Sequence, residues 1–407
     1  AVGDYALNAN TTASFNTALG QGSMLSNTTG ANNTSVGRDA MQQNTTGAEN
    51  VAVGSLVLDA NTTGSTNTAV GNQALSANTT ASNNTAVGQA SMANTTTGAN
   101  NTAIGRSAMS ANTTGARNTA EGYLSLSANT TGGSNTSMGA YSLASNTTAS
   151  YNTAVGDTAL YTNTTGHNHT AVGDHSLYAN TTGTHSTALG ATALQASTTG
   201  GANVAVGSRA LETSTTASSN TAVGYKAMVG GTTGTHNVAV GRDALNNTVT
   251  GNVNTSVGAE TGTGITSGNH NTLLGYQAGT YATSITTGTN NICIGAYTRP
   301  SAADGSNQII LGYDVAGSSA NQVHIGSNAG KIYNSFASNA TWTHSSDQRL
   351  KKNIQTNTLG LDFINDLRPV TYNWKKSTEL DSTDPHMVNH YDAETNHKDD
   401  TTKFHGF

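Results

Sequence analysis

The residues best equipped for covalent chemistry gather in one short run, Ser345 to Ile354, which reads S-S-D-Q-R-L-K-K-N-I. A serine hydroxyl becomes a nucleophile only when a base takes its proton. A lysine can be that base once burial lowers its pKa enough to leave it neutral. A serine and a lysine five residues apart also occur in ordinary solvated loops, so the spacing alone assigns nothing. His167-Asn168-His169 is an H-x-H pair that could hold a metal if copies met on an axis. Its neighbours vary from repeat to repeat and read as outward, and His185 and His236 stand in a related surface column, so these are read as solvated turn histidines. N-T-T, as at Asn10, Asn27, Asn44, Asn61 and Asn78, is formally a glycosylation sequon. It is read here as a turn bearing stacked Asn and Thr. Paired carboxylates that would cleave a glycoside are absent, as is a glycine-rich phosphate loop, and no cofactor or metal is expected.

What must position these residues is a repeat. Glycine recurs every seventeen residues from Gly3 to Gly275 without insertion or deletion. The residue before it is apolar in sixteen of seventeen units, and the residue four after it is Leu or Met in fifteen. Apolar spacings of five and then twelve keep no face of a 3.6-residue helix, and Gly, Asn and Thr oppose one. A fixed period of this length is the mark of a stacked-coil architecture. The sequence therefore predicts an all-β fold, a parallel β-solenoid or β-roll of 17-residue coils.

Within a unit such as Asn67 to Asn83, N-T-A-V alternates like a short strand with Thr68 and Val70 on one face. Gly71 bends the chain, Q-A-L-S-A reads as a second strand, and N-T-T turns it back. Asn16, Asn33, Asn50, Asn67 and Asn84, each four before a glycine, should stack into a ladder of bonded amides. At ~4.8 Å per coil, about nineteen coils make a rod of roughly 90 Å. Each coil offers about three apolar side chains, at ~1.5–3 kcal/mol each when buried. That is little against the ordering entropy of seventeen residues, so lateral association into a homotrimer is expected. Glu121 breaks the apolar rule, and is read as reaching solvent or pairing with Arg117 or Arg106, with a register or ion site along the rod as the sharper alternative.

Only 9% of the 407 residues are charged and the formal charge is −6, which gives no reason to expect nucleic acid as a partner. No apolar run is long enough for a membrane helix. Opening in mid-repeat at Ala1-Val2-Gly3 and closing on His405-Gly406-Phe407, the chain is read as a segment of a longer protein, so the lack of a signal peptide is uninformative. A single cysteine, Cys293, excludes an intrachain disulfide.

After Gly275 the glycine spacing becomes 20, 17 and 14, through Gly295, Gly312 and Gly326. From about Ser345 charge, proline and tryptophan appear. Leu361, Ile364 and Leu367 have helical spacing ended by Pro369, and Val370 to Trp374 alternates like a strand. The expected organisation is a regular shaft over 1–275, an irregular end and connector over 276–342, and a small, incomplete α+β domain over 343–407.

N-T-A-V-G and N-V-A-V-G resemble the head repeats of trimeric autotransporter adhesins, over residues 1 to about 330, although the repeat length here differs. S-D-Q-R-L-K-K at Ser346 to Lys352, with L-D-F-I-N-D-L-R-P-V-T-Y-N-W at Leu361 to Trp374 and the final K-F-H-G-F, resembles the intramolecular chaperone of phage tail fibres and tailspikes, the endosialidase-type peptidase S74 family. That resemblance implies a self-cleaving serine peptidase with Ser346 as nucleophile and Lys351 as base, cutting between Ser345 and Ser346 after the trimer has formed. Asp347 and Arg349 would be structural, and Lys352 a decoy for the base. It implies the shaft of a trimeric viral fibre on the virion surface, partnered by its own copies and by a host-cell receptor or glycan, without membrane insertion. The competing readings are a bacterial cell-surface trimeric adhesin, an ice-binding solenoid with flat Thr arrays, and a polysaccharide-degrading tailspike whose catalytic domain lies elsewhere.

Overall fold

The computed structural model describes residues 1–336 and the backbone of three further strands, Thr343–His344, Val370–Tyr372 and Phe404–Gly406. The chain divides into two compact units, Ala1–Ser345 and Ser346–Phe407. The first is a parallel β-solenoid in which three-residue strands recur from Thr17–Leu19 to Ile292–Ile294. Each strand pairs in parallel with its successor one period on, Thr17 opposite Thr34 and Thr170 opposite Thr187. The sequence period is thus the coil, and no helix occurs among the described residues.

The glycine that marks the period ends each strand, with φ near +130° (Gly88, 132°; Gly173, 130°). A Cβ on Gly88 would lie 2.5 Å from the carbonyl oxygen of Gly105 in the next coil. Two constraints therefore exclude a side chain: the backbone conformation, and the closeness of one coil to the next.

The run after the glycine is not the second strand that its alternation suggests. Residues 72–77 form consecutive turns, and Gln73 and Leu75 take left-handed φ values of 59° and 51°. Bending is what this part of the coil must do. The left-handed residues let successive N–H groups point alternately down and up the stack: Gln73 N–H donates to Ser55 O and Leu75 N–H to Ser91 O, both at 3.0 Å. Each such non-glycine residue costs ~1–2 kcal/mol. Inter-coil hydrogen bonds and burial of the leucine hold it there.

Strand alternation places Ala69 inward and fully buried, with Thr68 and Val70 outward and partly exposed. The valine before the glycine is therefore outside the core, which is thinner than three apolar side chains per coil. It consists of the Leu or Met four after the glycine, such as Met24, Met41, Leu58 and Leu75, packed on small residues such as Ala40, Ala69 and Ala74. Two coils have glycine in place of that leucine, Gly262 and Gly279. There the volume is restored from elsewhere: Leu273, Cys293 and Ile310 replace the small inward strand residue, and Ile265 and Ile285 enter the core. A Cβ on Gly262 would lie 2.8 Å from Leu273 Cδ1, so the leucine occupies the vacated space.

The spacing of twenty after Gly275 is absorbed outside the strands, since Thr272 still pairs with Ile292 in register. The solenoid continues through Ile309–Tyr313 and Gln322–Ser327, then reverses into an antiparallel hairpin with Gly330–Ser335, to which Thr343–His344 adds. In the second unit Val370–Tyr372 pairs antiparallel with Phe404–Gly406, Val370 opposite Gly406. The strand expected from Val370 is present; the helix expected at Leu361 to Leu367 lies outside the described residues.

Gly88→Ala should lower shaft stability by ~1–3 kcal/mol through backbone strain alone, and further through the contact with Gly105. Gly64→Ala should cost less: a Cβ there would also come close to the next coil, 2.3 Å from Ala81 O, but Gly64 has no left-handed φ, and Ala81, Ala149 and Ala217 already hold the equivalent buried position. Thermal melts of the two variants beside wild type check the order.

Candidate functional site

Inside the shaft the chemistry is amide hydrogen bonding, in two columns that close either end of the N-T-T turn. In the column four before the glycine, Asn33 Oδ1 accepts from the backbone N–H of Asn50 at 2.9 Å, and its Nδ2 donates to Gly47 O at 2.9 Å. In the N-T-T column, Asn44 Nδ2 donates to Asn27 Oδ1 at 2.8 Å and to Gly47 O at 2.9 Å. Both columns are buried. Between them the first threonine donates to the backbone of the next coil, as Thr28 Oγ1 to Thr45 O at 3.0 Å. The expected ladder is therefore present and doubled. The sequon asparagines have their amides committed inside the coil, which is the turn reading rather than the glycan one.

The N-T-T column breaks where a residue without an amide enters it. Asn78 Oδ1 has no hydrogen-bond partner in the protein, because the next residue in the column is Thr95; Asn180 Oδ1 is orphaned below Ser197. Asn112 Nδ2 makes do with Thr95 Oγ1 at 3.3 Å.

His169 corrects the reading of the H-x-H pair. It lies four before Gly173, in the asparagine column, and is buried with 1% exposure. Its Nδ1 accepts from Ser186 N–H at 3.2 Å and its Nε2 lies 2.6 Å from Gly183 O, so the ring is the neutral Nε2–H tautomer standing in for an asparagine. Burial lowers its pKa from the usual 6.5. The register of the repeat carried this signal. His167 is exposed and meets His185 edge to face, as the surface reading expects. His324 is also buried, and desolvation lowers it to about 4. Among the described residues no group of His, Cys, Asp or Glu could hold a metal ion, and no helix is long and apolar enough to cross a membrane.

Aromatic and charged side chains collect along the turns that follow the glycine, from one residue after it (Tyr123) to five (Tyr161, Tyr178). Tyr123, Tyr141, Tyr161 and Tyr178 form a continuous row with ring centroids 5.1, 6.3 and 5.3 Å apart. The Arg106 guanidinium lies over Tyr123 at 4.5 Å. Further along, Arg242 bridges Asp243 at 2.7 Å and also Glu260, which accepts from Gln277 at 2.7 Å. Glu121 is exposed, since its column points outward.

Ser346 and Lys351, with Asp347, Arg349 and Lys352, lie outside the described residues. Their assignment rests on sequence. The strand Thr343–His344 ends just before them, and the first compact unit closes at Ser345.

The fold defines a repetitive β-solenoid shaft carrying a separate C-terminal unit. Residues 346–387 match the family model of the chaperone of endosialidase, peptidase S74. The C-terminal segment is thus similar to the chaperone that ends endosialidase-type tail fibres. No curated protein and no solved structure matches the chain.

Two outcomes test the columns. Thr95→Asn should give Asn78 Oδ1 a donor and Asn112 Nδ2 a better acceptor, raising stability by ~0.5–1.5 kcal/mol in a denaturant titration. Because the folded shaft depresses the pKa of His169 and His324, the unfolded chain binds protons first on acidification. Stability should hold at pH 7 and fall once pH drops below about 6.5. His169→Asn should reduce the loss of Tm between pH 7 and pH 5.

Proposed function

We propose that this chain is the shaft of a trimeric viral fibre whose C-terminal chaperone assists assembly and then cuts itself off. A β-solenoid shaft followed by a chaperone-of-endosialidase segment fits a tail-fibre-like structural protein. The observation that carries the finer reading is a coincidence of three boundaries. The family match begins at residue 346, the second compact unit begins at Ser346, and the bond expected to break joins Ser345 to Ser346. A cut there would leave the solenoid and its closing hairpin intact.

In this reading Ser346 Oγ attacks the Ser345 carbonyl, and Lys351 takes the hydroxyl proton and returns it to the departing amine. The peptide bond is thereby exchanged for an ester between the Ser345 carbonyl and Ser346 Oγ, which still joins the two parts; water then hydrolyses the ester, leaving a shaft that ends in the Ser345 carboxylate and a chaperone that begins with the free amine of Ser346. Each active site turns over once. The shaft itself has no catalytic role; its work is to be stiff, long and exposed on a virion, where host-cell receptors or glycans are the partners it would meet.

Full-length chain should run on a denaturing gel as two fragments, and Ser346→Ala as one. Lys351→Met should also stay whole, while Lys352→Met should still be cut. A wild type that stays full length beside an intact Ser346→Ala variant overturns the cleavage reading.

A further inference from the structure

We infer that the outward face of the strands, a Thr or Val followed two residues later by Val, Ile, Leu or Met, is the surface through which parallel copies of this chain associate in register. The inference rests on the trimeric reading above and assigns its contact.

Three observations carry it. First, on this face the column before the glycine is apolar but for Glu121 and its side chains are partly or largely exposed along the shaft, beside a companion column of partly exposed threonine and valine. Leu19 is 48% exposed, Ile104 41%, Met138 40% and Leu274 47%, side chains that an isolated rod would leave in water at a cost per unit area. Second, charge is excluded from it. In the column before the glycine, from Val2 to Ile325, and in its companion, from Thr17 to Val323, Glu121 is the sole charged residue. The adjoining edge, one and two residues after the glycine, carries Arg38, Asp39, Lys226, Arg242, Asp243 and Glu260. Third, the size suffices. Strands ~4.8 Å apart over some eighteen coils, with a face roughly 10 Å across, give about 850 Å² per chain; shared between two neighbours around a three-fold axis, this buries about 2,500 Å² in the whole trimer, where a single standard interface buries about 1,600 Å².

The pattern also fits a ring of three. When a two-column face turns toward a three-fold axis, the threonine column of each chain meets the valine column of the next, a heterologous contact that closes. β-branched residues in both columns are stiff at χ1 and interlock at little entropic cost. In-register copies bring their Glu121 side chains to one height, where like charges at an apolar contact oppose association.

The test uses the full chain and a short bis-maleimide linker. Cys293 is buried with its thiol pushed up to about 12, so an introduced cysteine reacts first. Thr85→Cys/Val87→Cys should yield a covalent trimer on a denaturing gel, and Thr80→Cys/Ser82→Cys on the neighbouring turn should not. Solution mass is measured in parallel, and Glu121→Val should slow subunit dissociation. A trimer by mass that cross-links only through the turn pair overturns the face assignment and leaves the trimeric reading standing. A monodisperse monomer overturns both, and thermal hysteresis in that monomer would give the stripe to an ice surface instead.

Discussion

The whole shaft depends on how closely one coil's backbone sits on the next at the end of each strand. The glycine carbonyl of the following coil fills the space where a Cβ would be. No other residue meets both that approach and a φ near +130°. Once this point is fixed, seventeen residues must return to it, and everything between can vary only where it points outward. The exactness of the glycine period is therefore a steric requirement. The irregular coils support this, because Gly275, Gly295, Gly312 and Gly326 all keep a strongly positive φ while the spacing between them changes to 20, 17 and 14 residues.

With one large aliphatic side chain per coil, apolar burial cannot be the main source of cohesion. The stack is instead held by repeated polar contacts whose partners come from identical coils. An asparagine amide in these columns bonds at both ends, so the desolvation of its buried polar atoms is offset by hydrogen bonds. The same logic makes the columns sensitive to composition. Thr95 and Ser197 fit sterically yet leave the Asn78 and Asn180 carbonyls without donors. His169 succeeds because its two ring nitrogens reproduce one acceptor and one donor, at the cost of a neutral ring. Ser186, next in the column, is small where the ring is large.

Period and polarity made the solenoid, its parallel register and the asparagine ladder legible in the sequence. Alternation in Thr68-Ala69-Val70 also gave the two faces of the strand, but not which one is inside. That is decided by Leu75 across the coil: with its bulk in the core, only a small residue fits opposite, alanine or, as at Ser35 and Ser137, serine, and the larger valine is turned out. The left-handed turns at Gln73 and Leu75 were illegible because neither residue is a customary turn former; inter-coil hydrogen bonds impose the conformation. His169 was legible only by counting from Gly173, since its neighbour His167 is a surface residue. Ser346 and Lys351 have no such geometric basis. They were found by a local motif, which the family match over residues 346–387 repeats.

A shaft this regular creates a problem of alignment between copies. If chains associate through nearly identical threonine and valine columns, a slip of one whole coil restores almost every contact, and the pairing register is only weakly specified. The departures that could oppose a slip are few: Glu121 in the apolar column, and the irregular coils after Gly275 with their closing hairpin. In the chain, the irregular coils and hairpin come just before the segment that matches a chaperone. A folding unit that gathers three C-termini there would start all chains level, and the stack could then propagate from the one place where its coils are distinguishable. After that the in-register contact would maintain itself and the unit would have no further structural task. The poverty of the repeat as a register code is thus a physical reason why a shaft of this kind would carry a chaperone-like segment at its end and, in the reading proposed above, why that segment would be shed.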